Sequence, residues 1–375
     1  MLGLYLHIPF CSAICNYCNF NRGLFDTALK TRYVAALEQE IRTEGERRGA
    51  PNADTLYFGG GTPSLLSADE VARLVRACLE SFRVCDDAEI TLEANPESVS
   101  AAQLAALREA GVTRLSFGVQ SFLDEELVRL SRLHTADRVR RAVREARAAG
   151  FDNISLDLMM WLPGQTVEAW MTSVDEALAL APEHLSMYML EVYPNAPLKD
   201  LMARAVWSQA PDDDVAEMYE QALDRVGAAG YRQYEISNVA RPGRASRHNM
   251  KYWSDGAWLG FGCGAHSTFD GCRWKNLSGT GEYIEAIGAG ASTRVDVQEL
   301  SADRRLGDAL FTGLRVTEGV DIAALGRRYN TDVWARYGHE LERYVDAGLL
   351  HVQPHRWTLT RPGMLLAHEV MSVFV

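Results

Sequence analysis

Apolar positions along the chain fall into short runs that alternate with longer amphipathic stretches. Residues 2–8 (LGLYLHI), 55–60 (TLYFGG), 89–95 (EITLEAN), 113–120 (TRLSFGVQ), 153–160 (NISLDLMM) and 184–190 (HLSMYML) each have the length and apolar content of a buried strand. Between them, apolar residues recur at helical spacing behind recognisable caps. Ser67 and Glu70 form a capping-box pattern ahead of VARLVRACLESF, and the stretches 100–111 and 135–150 open at Ser100 and Thr135 and close at glycine. Six β-then-α units in succession predict an α/β fold with a parallel sheet and right-handed crossovers. Two strands short of closure, the pattern fits an open, TIM-like partial (β/α)6 barrel.

The pattern changes after residue 240. Residues 241–274 are rich in glycine and aromatics and read as irregular or short-strand structure. Helices are expected again at 301–315, 321–329 and 333–350, followed by a hairpin over 351–363 and a last helix in MLLAHEVMSVF. Three helices and a hairpin predict a winged-helix-like, α-rich C-terminal domain, so the expected division is 1–240 and 241–375.

Composition narrows the partners. A chain of 375 residues with 47% hydrophobic content can fill two domains, or one barrel with an appendage. The net charge of −12, from 38 basic and 50 acidic side chains, argues against a nucleic acid partner and for small molecules or proteins. MLGLYLHIPF is too short for a signal peptide, and no apolar run approaches the ~18 residues of a membrane span. A cytoplasmic location is expected, with peripheral membrane contact left open. The seven cysteines are unevenly spread, and three of them cluster tightly, which reads as metal-binding or catalytic rather than as a disulfide framework.

Ligands of parallel sheets collect at the carboxyl ends of strands. Gly59-Gly60-Gly61-Thr62, Glu93, Gln120 and Asp157 are each expected there, beyond the apolar part of their strands, as are Cys11, Cys15 and Cys18 after the first strand. The C-x3-C-x2-C spacing lets three thiolates hold three irons of a [4Fe–4S] cube and leave the fourth open. The alternative is a zinc ion on three cysteines, completed by His7 or a distant residue.

YLHIPFCSAICNYCNF followed by YFGGGTPS resembles the radical S-adenosylmethionine superfamily. The resemblance implies that the open iron chelates the methionine moiety of S-adenosylmethionine, whose reductive cleavage yields a deoxyadenosyl radical. Gly60 and Gly61 would let the backbone approach that ligand, and Thr62 would add a hydroxyl. Further residues match the branch containing oxygen-independent coproporphyrinogen III oxidases. Glu93, Gln120, Arg132 and Asp157 would complete the ligand pocket, and Tyr5 and Tyr17 would pack around cofactor and cluster. Solvated strand ends or caps for Glu93 and Asp157, and a surface ion pair for Arg132, are the competing readings.

The second half, with YEISNVARPGRASRHNMKYW and WLGFGCGAHS, resembles the heme chaperone family derived from those oxidases. That resemblance implies heme as ligand and a heme-accepting protein as partner. His248 is the candidate iron ligand, with Tyr252 and Trp253 against the porphyrin; the alternative has HNMKYW building a domain junction. Phe20 stands where the oxidases have a further cysteine, and only ten residues precede Cys11. Both departures favour the chaperone. Trp161 replaces a glycine of the branch, which places the local turn in question. Cys263, His266 and Cys272 fit no strong zinc spacing. The expected function is therefore a heme chaperone carrying a [4Fe–4S] cluster and S-adenosylmethionine. The rival readings are a coproporphyrinogen III oxidase and a DNA-binding regulator.

Overall fold

A computed structural model describes residues 1–375, and the six expected strands are present. They are Leu2–Ile8 (β1), Asn52–Gly60 (β2), Arg83–Ala94 (β3), Arg114–Gln120 (β4), Ile154–Met160 (β5) and His184–Met189 (β6). All pair in parallel and in chain order. Helix α1 (Thr27–Arg48) opens at an Asp26 cap, and the helix Ala68–Ser81 opens at the full Ser67–Glu70 capping box.

Strand side chains alternate between two faces, and here the faces differ completely. Leu4, Leu6, Phe58, Phe117, Leu156 and Leu158 point outward into the main core under the helices. The intervening residues are mostly polar. Tyr57, Glu93, Arg114, Ser116, Gln120, Asp157 and Ser186 face inward and line a cavity. The barrel is thus glued on its outside and left polar within. Asp157 departs from expectation, because it is the fourth of the seven residues of β5 and points into the barrel from mid-strand.

The glycine- and aromatic-rich segment does not interrupt the fold. Arg232–Glu235 (β7) and Asn238–Ala240 (β8) add antiparallel to β6, and Trp258–Phe261 (β9) pairs parallel with β1, Gly3 opposite Trp258 and Leu6 opposite Phe261. The antiparallel strands His266–Phe269 (β10), Cys272–Asn276 (β11) and Arg294–Glu299 (β12) complete one twelve-stranded sheet. Residue 240 falls inside this sheet, and the change of core comes between Ile287 and Leu306.

The second core holds helices Ala302–Gly313, Ile322–Tyr329 and Val333–Asp346 against the hairpin Leu350–Val352 and Arg356–Leu359. Val320–Asp321 adds a third strand, which gives the winged-helix-like arrangement. The last helix breaks into Arg361–Leu365 and Ala367–Met371. No helix is long and apolar enough to cross a membrane.

Glu40 of α1 ties the early chain to the late strands. Its buried carboxylate accepts from the Gly262 amide (2.8 Å), Asn276 Nδ2 (2.7 Å), the Tyr283 hydroxyl (2.7 Å) and Thr293 Oγ1 (3.4 Å). Glu40→Ala would leave these donors buried and unpaired, an expected loss of roughly 3 kcal/mol. Urea denaturation checks this; a variant within about 0.5 kcal/mol of the parent would contradict it.

Candidate functional site

The cysteine segment is anchored on both sides of the motif. Phe10 and Cys11 pair with Gly23 and Leu24 in a short parallel bridge. Asn16 donates to the Arg129 carbonyl at 2.7 Å and accepts from the Leu198 amide at 3.0 Å. Asn21 donates to the carbonyls of Cys263 and Ser278, both at 3.1 Å. Between these anchors Cys15 and Cys18 turn, with Cys11, into one cavity of about 470 Å³. All three thiols are free.

The glycine run is strapped directly to this segment. The Gly61 and Thr62 amides donate to the carbonyls of Ile8 and Phe10, each at 2.8 Å. A β-carbon at Gly61 would lie 2.7 Å from the Phe10 oxygen and 3.0 Å from Cys11 Sγ. Glycine is required by that approach. Thr62 Oγ1 lies 3.6 Å from Cys11 Sγ. Burial pushes the Cys11 thiol up, and the Thr62 hydroxyl partly opposes it. Burial likewise raises Cys18. Three soft thiol donors facing one chamber fit an iron–sulfur cluster, and the glycine cradle leaves room beside them.

Glu93, Gln120, Arg132, Asp157, Tyr17, Gly60, Gly61 and Thr62 line the same cavity as the cysteines. Glu93 accepts from the Tyr57 hydroxyl (2.8 Å) and the Gly60 amide (3.2 Å), and burial raises its pKa to about 7. Asp157 accepts from Ser186 (2.7 Å) and Ser116 (3.1 Å), and burial raises it too. Arg132 is no surface ion pair. Its guanidinium donates to Asn95 Oδ1 (2.7 Å) and the Gly118 carbonyl (2.6 Å) and stands 3.6 Å from Cys15 Sγ. Tyr17 packs against the small cluster Leu130, Leu162, Leu190 and Leu198.

Two expected residues lie elsewhere. Tyr5 lines a second cavity of about 450 Å³ on the other side of the cysteine segment, its hydroxyl 3.0 Å from His7 Nδ1. Phe20, Gly60 and Glu93 border both cavities. His248 lies in neither lining. Its Nδ1 meets Thr55 Oγ1 at 2.8 Å, its Nε2 meets the Tyr252 hydroxyl at 2.9 Å, and its ring stacks on Tyr57 at 5.0 Å. Burial, followed by nearby Lys251, drives its pKa down to about 3. With both ring nitrogens engaged, His248 is a structural member of the junction rather than an available iron ligand. Trp253 packs beneath the Arg315 guanidinium, 4.5 Å from ring centre.

Arg114 and the serines around Asp157 escaped the sequence reading. Arg114 is 1% exposed, borders the main cavity and has an unpartnered Nε. The available signal was a polar residue at every second position of otherwise apolar strands. Trp161 adopts the left-handed conformation, φ 64°. That conformation costs an ordinary residue about 1–2 kcal/mol. Its indole donates to the Ala210 carbonyl at 2.8 Å, and its own carbonyl accepts from Gln209 at 3.1 Å. Those bonds hold the turn without glycine.

The Radical SAM superfamily pattern matches residues 5–177, and the HemN C-terminal domain pattern matches residues 300–366. The chain is 38% identical over 376 residues to "Heme chaperone HemW" of Bacillus subtilis, covering 100% of this chain and 99% of that one. It is 39% identical over 386 residues to the Escherichia coli protein of the same name, covering 100% and 98%. Among solved structures, coproporphyrinogen III oxidase (HemN) of E. coli, described as a radical SAM enzyme, superposes with a TM-score of 0.88. That match has 24% identity and covers 100% of this chain and 89% of that one, which establishes the shared fold.

Gly61→Ala should leave the helical circular dichroism intact and reduce iron and sulfide uptake on reconstitution severalfold; unchanged uptake would contradict the cradle. Glu93 yields a pH prediction. Its folded pKa of about 7 exceeds the ordinary 4.5. The folded state therefore binds the proton more tightly, and this contribution is full below the unfolded value and lost as pH rises through the folded one. Apoprotein carrying Glu93→Gln should gain stability relative to the parent between pH 5 and 8, by roughly 2–3 kcal/mol. A pH-independent difference in paired denaturation curves would contradict it.

Proposed function

The chain belongs to the heme chaperone HemW family, with a radical SAM domain, and from that premise we propose that it binds heme and delivers it to an acceptor protein. In this reading Cys11, Cys15 and Cys18 hold a [4Fe–4S] cluster, with S-adenosylmethionine on the open iron. Bound there, cluster and cofactor would supply one-electron reductive chemistry. The chain's own groups bind and orient. The Gly60–Thr62 backbone admits a zwitterion, Glu93 and Asp157 present carboxylates able to accept from hydroxyl groups, and Arg132 supplies a fixed cation beside Cys15. The free thiols suit a reducing compartment, which supports a cytoplasmic location.

The observation that carries the reading is the convergence of three free thiols and this polar set on one cavity. Phe20 supports the chaperone over the oxidase. The residue that replaces a further cysteine is 68% exposed on the rim between the two cavities. An exposed phenyl ring there offers a flat apolar surface suited to a porphyrin.

Anaerobically reconstituted protein should bind hemin saturably. Incubated in parallel with S-adenosylmethionine, a reductant and coproporphyrinogen III, it should form no sustained protoporphyrinogen. Hemin binding no stronger than that of an unrelated protein would sink the chaperone reading, and sustained turnover would make the chain an oxidase.

A further inference from the structure

Five histidines belong to the barrel and its added strands, and four of them have both ring nitrogens committed. His7 meets the Tyr5 hydroxyl at 3.0 Å and the Asn21 carbonyl at 2.7 Å. His134 meets Glu97 and the Val119 carbonyl at 3.1 and 3.0 Å. His184 meets Ser155 and Tyr234, each at 2.8 Å, and His248 is held by Thr55 and Tyr252. His266 differs from all of them. It is exposed, its ring makes no hydrogen bond to the protein, and it stands on the wall of the second cavity.

That wall is aromatic. Tyr252 and Trp258 meet edge to face at 4.8 Å, and Tyr5 and Phe20 border the same cavity. Trp258 Nε1 donates to the His266 carbonyl at 3.0 Å, which fixes the histidine backbone against the indole. In the β10–β11 pairing His266 lies opposite Lys275, and Thr268, on the same face, lies opposite Arg273. Two cations therefore flank the imidazole. Lys275 is paired with Asp296 at 2.8 Å and Arg273 with Asp308 at 3.0 Å. Burial, then these two cations, lowers the His266 pKa, which keeps the ring in its neutral, ligating form.

We infer that His266 is the axial ligand of the heme iron, with the porphyrin against Tyr252, Trp258 and Phe20. The inference rests on the heme-binding reading above and relocates the ligand from His248. It also separates the two chemistries, since the cluster cysteines face the main cavity and the heme would occupy its neighbour across Phe20 and Glu93. At about 450 Å³ and open to solvent, this cavity would hold the macrocycle partly exposed. Cargo that must leave needs such a seat.

Hemin titration of the cluster-replete protein, with resonance Raman spectra of the ferrous form, tests the assignment. The parent should show an iron–imidazole stretch. His266→Ala should lose it and bind hemin about tenfold or more weakly, and added imidazole should restore the ligand signature. His266→Met should convert the spectrum to thioether ligation, while cluster absorbance stays at the parent level in both variants. An iron–imidazole stretch and affinity unchanged in His266→Ala would overturn the assignment and leave heme binding standing. Hemin bound by the parent without imidazole ligation would do the same. A parent that binds no hemin would overturn both this assignment and the chaperone reading.

Discussion

Strand β1 lies between β2 and β9 in the sheet, and the site depends on that position. Its register is set on one side by β2 and on the other by β9, with Leu4 opposite Leu56 and Leu259. A slip of one residue would turn Tyr5 and His7 into the core and expose Leu4 and Leu6 to the interior. Because both ladders resist it, the cysteine segment leaves β1 at a fixed height and angle. The Gly61 and Thr62 amides then clamp it from the end of β2. Chain added more than two hundred residues later completes the support for the first dozen.

The interior that this sheet encloses holds buried ionisable groups of both signs. Glu93 and Asp157 are buried carboxyl groups whose ionised forms are disfavoured, and the Arg114 guanidinium shares their chamber with its Nε unpartnered. Buried charge without partners is expensive, and natural interiors keep it where a ligand or water completes the bonding. The outward face stabilises the fold through Leu, Phe and Val, which frees the inward face to carry polar groups. A chamber with anionic, cationic and thiol walls suits the zwitterionic cofactor of the proposed function. The second cavity, walled by Tyr5, Tyr252 and Trp258, suits a flat apolar ring instead.

The six strands and their capped helices were legible because apolar runs and Ser or Thr caps are local signals. The cysteine motif and glycine run were legible for the same reason. What depended on distant chain was not. β9 has four residues and a glycine within, so nothing local marks it as the partner of β1. Glu40 sits in a charged helix, where a glutamate normally faces water, and only the returning strands bury it. His248 read as a ligand because HNMKYW places it beside aromatics. The same aromatics and Thr55, far away in sequence, consume both its nitrogens. Arg114 was hidden by the strand that carries it, since a buried strand was expected to be apolar on both faces, and only the mid-strand place of Asp157 differed from expectation. The period-two polarity of Arg114, Ser116 and Gln120 was the overlooked sign.

The central claim is that the thiol-lined cavity brings the cluster and S-adenosylmethionine together on one iron. Pulsed electron–nuclear double resonance on the reduced, reconstituted protein tests it, with S-adenosylmethionine isotopically labelled at the methionine nitrogen and carboxylate. The account predicts hyperfine coupling between the cluster spin and both labels, abolished when Cys11, Cys15 and Cys18 are replaced by alanine. A well-formed cluster signal with no coupling to either label would contradict it.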